Sequence, residues 1–313
     1  MKFKLQGKSR HVHVIMMSTA YQDTAVESCT RPDGDPMFGW HAQPEDGCIA
    51  FCFLTRELPL QSELWYEFFL EADALGLPFV VVVHNKEPVT KACSPAHVAR
   101  HWFKERVTRT VETEWGHLSL VRATMRLWEE AIGREPRVSH LCLLSESCVP
   151  LCGFRTVYNE VCCFERTTFD VRPSYENLDR FGMVADKTLM LPKHRKKQSQ
   201  WFVALRRDAD FFLANDSTTR WGEAAFAPDE HYFVTLMEAR DRPYSHRPTT
   251  FSDFNATPRF PVDSRPGPSK RQAKPYVFDR VRATTIAALR QEGFLFLRKV
   301  AAATAVELDL DPP

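Results

Sequence analysis

The chain has 313 residues, enough to bury a large apolar core, and its mix of apolar and charged residues is that of an ordinary globular protein. Its 41 basic and 40 acidic residues nearly cancel, which removes the electrostatic case for a nucleic-acid or membrane-surface binder. No apolar run approaches the roughly 18 residues that span a bilayer, and the opening MKFKLQGKSRHVHVIMMSTAYQ has too short an apolar stretch for a signal peptide.

Residues 1–47 read as an N-terminal strand and a long loop extension, because TRPDGDPMFGWHAQPEDG is dense in turn formers. The run 48–54 (CIAFCFL) is continuously apolar and of strand length, 61–75 is helix-like, and the β-branched run 78–84 (PFVVVVH) is a second buried strand. Strand, helix, strand implies a parallel βαβ unit. A basic segment follows to Thr110, then apolar residues at helical spacing over 118–132, then a third buried strand, 140–144, ending abruptly in Ser145-Glu146-Ser147. Residues 165–197 read as loop, 200–205 as a strand, 207–214 as a helix, and 227–240 as a helix opened by Pro228. The Pro-, Ser- and Arg-rich stretch 241–276 reads as loop. An amphipathic stretch 279–289 and the apolar run 293–299 close the domain, and 301–313 is left as a C-terminal tail.

The alternation predicts a doubly wound α/β domain, in which ligands sit outside the carboxyl ends of strands. Attention therefore falls on Leu54-Thr55-Arg56, on His84-Asn85-Lys86 and on Ser145-Glu146-Ser147. Nine cysteines, all within the first 163 residues and with no CxxC pair, are expected to be reduced and buried. The sequons at Asn215 and Asn255 are read as accidental.

Asp229 and Glu230 sit in Pro228-Asp229-Glu230-His231 at an expected helix start. There they either complement the helix dipole, or Glu230 serves as a general base on the rim of the sheet; spacing does not choose. A divalent ion on such a sheet is commonly held by Asp-x-Asp at a central strand end. Ser145-Glu146-Ser147 stands there instead, two hydroxyls around one carboxylate, so no metal is expected. Without a metal, a departing diphosphate needs lysine or arginine, and Arg298 and Lys299, with the loop group Lys270, Arg271 and Lys274, are the candidates, although on spacing Arg298-Lys299 more commonly caps an element and snorkels to solvent. Trp115 and Trp201 offer faces on which sugars stack, against the commoner reading of core tryptophans. The run 193–197 (KHRKK) is a solvated loop or a contact for an anionic acceptor.

The segments AFCFLTR, VVHNK, EWGHLSLV, LLSESCVPL, SQW and PDEHY follow the order found in the Core-2/I-branching enzymes, which the chain resembles over 48–300. That resemblance implies one domain with a GT-A-type, Rossmann-like mixed sheet flanked by helices. It also implies inverting, metal-independent β-transfer of N-acetylglucosamine or xylose from a UDP-sugar donor to a glycan or glycoprotein acceptor, with no cofactor. On the family pattern Glu230 matches the catalytic base and Lys299 the lysine that neutralises the diphosphate. Glu165 resembles an acceptor-binding carboxylate, and Thr55, His84 and Asn85 lie where the nucleotide binds. The alternative is a catalytically inactive sugar- or nucleotide-binding module on the same fold. Cellular members are typically Golgi proteins with an anchor and stem, so a full-length chain of this kind is expected in the cytosol, as for a viral enzyme, and a shortened one in the Golgi lumen.

Overall fold

The run CIAFCFLT forms strand β1 (Cys48–Thr55), whose alternating side chains are apolar on both sides and buried on both faces. Helix α1 (Ser62–Leu75) follows and ends at Gly76, where φ of +65° lets the amide reach back to the carbonyls of Ala72 and Asp73 before strand β2 (Phe79–Asn85) begins. Helices α2 (Val98–Lys104) and α3 (Ser119–Arg134) precede strand β3 (Val138–Ser145). β1 pairs in parallel with both neighbours, Thr55 opposite Asn85 and Leu54 opposite Ser145, so the three strands end level with one another. The computed structural model describes residues 47–89, 98–172, 181, 183–189, 191–255, 259–260 and 275–308, all within the compact unit Pro44–Pro313.

Each face of this sheet has its own core. Ile49, Phe51 and Phe53 point to α1, where Phe53 meets Trp65 edge-on at 5.0 Å and Phe51 meets Phe69 at 5.1 Å between ring centroids. Cys48, Ala50 and Cys52 point to the other face, where Trp128 of α3 packs 5.1 Å from Phe233. The small residues on that side leave room for the tryptophan. Strand β4 (Val149–Pro150) and helix α4 (Phe154–Cys162) come next, α4 covering the same face as α1.

The remaining strands are short: β5 (Thr168–Phe169), β6 (Val171–Arg172), β7 (Lys197–Gln198), β8 (Val203–Leu205), β9 (Ser245–His246) and β10 (Thr250–Ser252). β8 pairs antiparallel with β3, β5 pairs antiparallel with β8, and β9 lies parallel to β5, giving the sheet order β2-β1-β3-β8-β5-β9. β11 (Phe278–Val281), β12 (Phe296–Arg298) and β13 (Val300–Val306) complete two smaller sheets, β10-β12-β4 and β11-β13. The mixed sheet flanked by helices is the expected class, and no described helix is long and apolar enough to cross a membrane.

Several expectations change in detail. The strand expected over 200–205 begins only at Val203, because Trp201 and Phe202 turn into the site and the core before the ladder forms. The helix expected over 227–240 is two pieces. A 3-10 turn spans Pro228–Glu230, and after His231 (φ −150°) the α-helix runs Tyr232–Ala239. The stretches 165–197 and 241–276 carry β5 to β7 and β9 to β10, each too brief to leave a period-2 signature. The stretch 279–289 divides into β11 and a helix, Ala283–Gln291, and the start of the supposed tail is β13, parallel to β11. The seven described cysteines are free thiols, five of them buried, and burial pushes the Cys48 thiol up to about 12. The extension 1–46 lies outside the described residues.

Candidate active site

At the carboxyl ends of β1, β2 and β3 the backbone is tied into one platform. Thr55 Oγ1 donates to the carbonyls of His84 (3.2 Å) and Glu57 (3.0 Å), the Lys86 amide donates to the Thr55 carbonyl (3.0 Å), and Asn85 Nδ2 donates to the Glu87 carbonyl (2.8 Å). Glu146 closes the gap from β3 by accepting the Arg56 amide at 2.6 Å. Ser145 Oγ lies 3.1 Å from Ser147 Oγ and 3.2 Å from Cys148 Sγ. Thr55, Asn85 and Glu146 thus spend polar atoms on holding the strand ends in register. His84 is fully buried, its Nε2 accepts the Val111 amide at 2.9 Å, and burial holds its pKa below the ordinary histidine range, so the imidazole is neutral. It steers the segment after β2 and presents no group to a ligand.

That segment carries Trp115 and Gly116 to the rim. Gly116 has φ of +77°, and its carbonyl accepts the Ala227 amide at 2.7 Å, pinning the loop to the turn that holds Asp229 and Glu230. A Cβ on Gly116 would stand 3.1 Å from the Phe226 ring. Trp115 is 78% exposed and rests edge-on against Phe226 at 5.7 Å, so it is a surface aromatic and not a core residue. Ala227 itself adopts the left-handed conformation (φ 48°), which for an alanine costs about 1–2 kcal/mol and is held here by its neighbours. Below the turn, buried His231 lies against Trp221, its Nε2 3.1 Å from the Phe226 carbonyl.

Glu230 projects from this turn partly exposed, its Oε2 3.2 Å from Lys197 Nζ. The two-residue strand β7 explains the pairing: alternation sends Gln198 inward, where its Oε1 accepts the Val234 amide at 2.8 Å in the first turn of the helix Tyr232–Ala239, and sends Lys197 outward to Glu230. The basic run 193–197 therefore contributes a specific ion-pair partner, which spacing did not single out.

Arg298, at the end of β12, lies with its guanidinium 4.8 Å over the ring of Trp201, and its Nε donates to Ser145 Oγ at 3.3 Å. It keeps some exposed surface yet sits deep enough for burial to disfavour its charge, which the carboxylates Glu146, Glu230 and Asp229 then counter. Ser145, Glu146, Trp201, Asp229, Glu230 and Arg298 therefore share one neighbourhood, although they come from four separate stretches of chain. Lys299 follows directly, its carbonyl accepting the Phe278 amide at 2.8 Å. Among the described residues no three His, Cys, Asp or Glu side chains are grouped as a metal set.

Two expectations fall outside this neighbourhood. Glu165 precedes β5, is exposed, and its carbonyl takes a hydrogen bond from Arg207 beyond the Leu205 end of β8, which is the end paired with the start of β3. It is thus at the opposite end of the sheet from Ser145, because β5 and β3 run in the same direction. The carboxylate that β5 does deliver to the Trp201 side is Asp170, whose carbonyl accepts the Ser199 amide at 2.9 Å. Lys270, Arg271 and Lys274 lie outside the described residues.

The sequence matches the family profile of the Core-2/I-Branching enzymes over residues 49–282, most of the chain, stopping short of Arg298 and Lys299. It is also similar to a curated protein, Glycosyltransferase BC10 of Oryza sativa subsp. japonica, with 24% identity over 223 residues. That alignment covers 62% of this chain and 54% of the rice protein, so the chain spans about half the length of that relative. By the extent of the family match, the chain belongs to the Core-2/I-branching enzymes, a family of glycosyltransferases.

Proposed function

We propose that this chain is an inverting β-glycosyltransferase on a GT-A-like sheet, moving N-acetylglucosamine or xylose from a UDP-sugar to a hydroxyl of a glycan or glycoprotein. The observation that carries this reading is that Arg298, whose Nε donates to Ser145 Oγ at the carboxyl end of β3, feels the charge of the partly exposed carboxylate Glu230 on the neighbouring turn. Glu230 takes the proton of the acceptor hydroxyl as its oxygen attacks the anomeric carbon from the face opposite the nucleotide. The bond to the diphosphate oxygen breaks, that oxygen keeps the electron pair, and Arg298 with Lys299 neutralises the charge that develops there. Lys197 Nζ, 3.2 Å from Glu230 Oε2, holds the carboxylate at the rim. Trp115 supplies exposed aromatic surface for the substrates, Trp201 seats the Arg298 guanidinium, and Asp229 lies buried in the turn beneath the base.

Metal independence belongs to the same proposal. It is supported by the composition of Ser145-Glu146-Ser147, whose one carboxylate is already engaged by the Arg56 amide. A non-catalytic binding module is the second reading, favoured by the Lys197 ion pair, because a carboxylate held by a cation is a weaker base. Transfer assays with UDP-N-acetylglucosamine and UDP-xylose, with and without EDTA, separate the two. Wild type should turn over in EDTA, and Glu230→Gln should lose about 10²–10⁴-fold in rate while folding normally. Full turnover in Glu230→Gln would remove the base assignment, a strict divalent requirement would remove the metal-free mechanism, and no turnover with either donor would favour the binding module.

A further inference from the structure

Away from the strand ends described above, a concavity of about 280 Å³ opens where the end of α4 meets the outer edge of the sheet, lined by Cys163, Phe164, Arg166, Thr168, Ser245 and Arg247, with Glu165 at its rim. The register explains the lining. Thr168 of β5 stands beside Ser245 of β9, and Arg247 is two residues further, so all three project from one face while Phe169 turns into the core on the other.

Two polar atoms in this lining are buried without a hydrogen-bond partner. Thr168 is 1% exposed and its Oγ1 has none, and the Nε of Arg247 has none either. The rest of Arg247 is fixed: Nη2 pairs with Glu160 Oε2 at 2.7 Å, and the guanidinium lies 4.6 Å over the Phe164 ring. Buried polar atoms in native proteins are nearly always paired, and an arginine Nε can only donate. A partner for this floor must therefore accept hydrogen bonds. Arg166 is exposed at the mouth beside the exposed carboxylate of Glu165, and the charge of Glu160 is matched by Arg247, so the demand for a partner comes from the unpaired donors and not from net charge. Oxyanions meet this demand, since they accept from several donors at once and pair with guanidinium groups.

We propose that this cleft is a second binding site, for a small oxyanion of the phosphate or carboxylate type, with Arg247 and Thr168 at its floor, Ser245 beside them and Arg166 at its mouth. It stands apart from the proposed donor site and does not depend on it.

Cys163 gives a local readout, because it is the exposed thiol among the described cysteines and it lines the cleft. An anion bound there would hinder approach to the thiol and disfavour the thiolate. The rate of iodoacetamide alkylation at Cys163, followed by mass spectrometry on the full chain, should fall severalfold and saturably when chloride is replaced by inorganic phosphate or acetate at matched ionic strength. Protection by one anion alone would identify the source, and protection by both would mark the shared chemistry. Arg166→Gln, at an exposed position, and Thr168→Val, nearly isosteric, should each raise the protecting concentration about tenfold, the size of one charge-assisted hydrogen bond. Alkylation that neither anion slows, or protection unchanged in both variants, would overturn the site. Because the signal comes from Cys163, phosphate bound near Arg298 does not imitate it, and absence of glycosyl transfer leaves it unaffected.

Discussion

The two halves of the central sheet are held by different forces. β2, β1 and β3 are seven or eight residues long, parallel, and clamped between aromatic layers in which Phe51, Phe53, Trp65 and Phe69 are almost wholly buried. β8, β5 and β9 are two or three residues long, and polar side chains do much of the joining. Asp208, 2% exposed, accepts from Thr167 Oγ1 at 2.6 Å and from Arg242 Nη2 at 2.6 Å, while Gln198 and the Tyr232 hydroxyl take backbone amides. The apolar half provides level strand ends, and the polar half brings charged side chains over them. The candidate site is the seam between the two.

That contrast can be broken by substitution. Trp65→Ala should cost about 3–5 kcal/mol in urea unfolding, since it empties the middle of the aromatic layer and frees the Cys148 carbonyl that its Nε1 serves at 2.9 Å. On the seam, Arg298→Ala should lower kcat/KM for the UDP-sugar about 10²–10³-fold with little change in thermal midpoint. Arg298→Lys should recover little of that loss, because a lysine cannot lie flat on Trp201 while donating to Ser145. In the polar half, Asp208→Asn should cost about 1.5–3 kcal/mol, the worth of hydrogen bonds to a charged group. A loss there equal to that of Trp65→Ala would erase the distinction between the halves. Gln198→Ala should cost about 1 kcal/mol by freeing the Val234 amide, and should shift Lys197 relative to Glu230.

The smallest effect is on pH dependence. Burial lowers the pKa of both His84 and His140 in the folded chain, so below the ordinary histidine value the unfolded state binds more protons. Their contribution is complete above about pH 6.5 and is lost as pH falls from there towards the lowered folded values. The urea midpoint should therefore drop between pH 7 and pH 5, and His84→Gln, whose side-chain carbonyl still accepts the Val111 amide, should flatten that drop. An unchanged slope would mean that carboxylates set the acid limit.

The same division decides what could be read from the sequence. The runs 48–54, 78–84 and 140–144 announce buried parallel strands because nothing polar interrupts them, and each was placed within two residues of its observed ends. β5, β7 and β9 left no periodic signal, since two residues are shorter than any repeat. Glu230 and Arg298 were legible through the segments that carry them. Their juxtaposition was not, because it depends on β12 pairing with β4 and on the Gly116 carbonyl fixing Ala227. Lys197 was hidden within a basic run whose members look alike until strand alternation distinguishes them. Glu165 is separated from this seam for a related reason: a carboxylate five residues from Asp170 along the chain lies at the other end of the sheet once β5 is formed.

The pairing of β12 with β4 also bears on where this domain can be cut. Sequence similarity to the family fades at residue 282, yet Phe296 and Leu297 pair with Pro150 and Val149, and Val300 donates its amide to the Ser147 carbonyl at 2.9 Å. A protein ended at the last family-like residue would lose Arg298 and strip the segment after Ser147 of its cross-strand partners. It would be a fragment with an open edge, missing the guanidinium that lies over Trp201 and donates to Ser145.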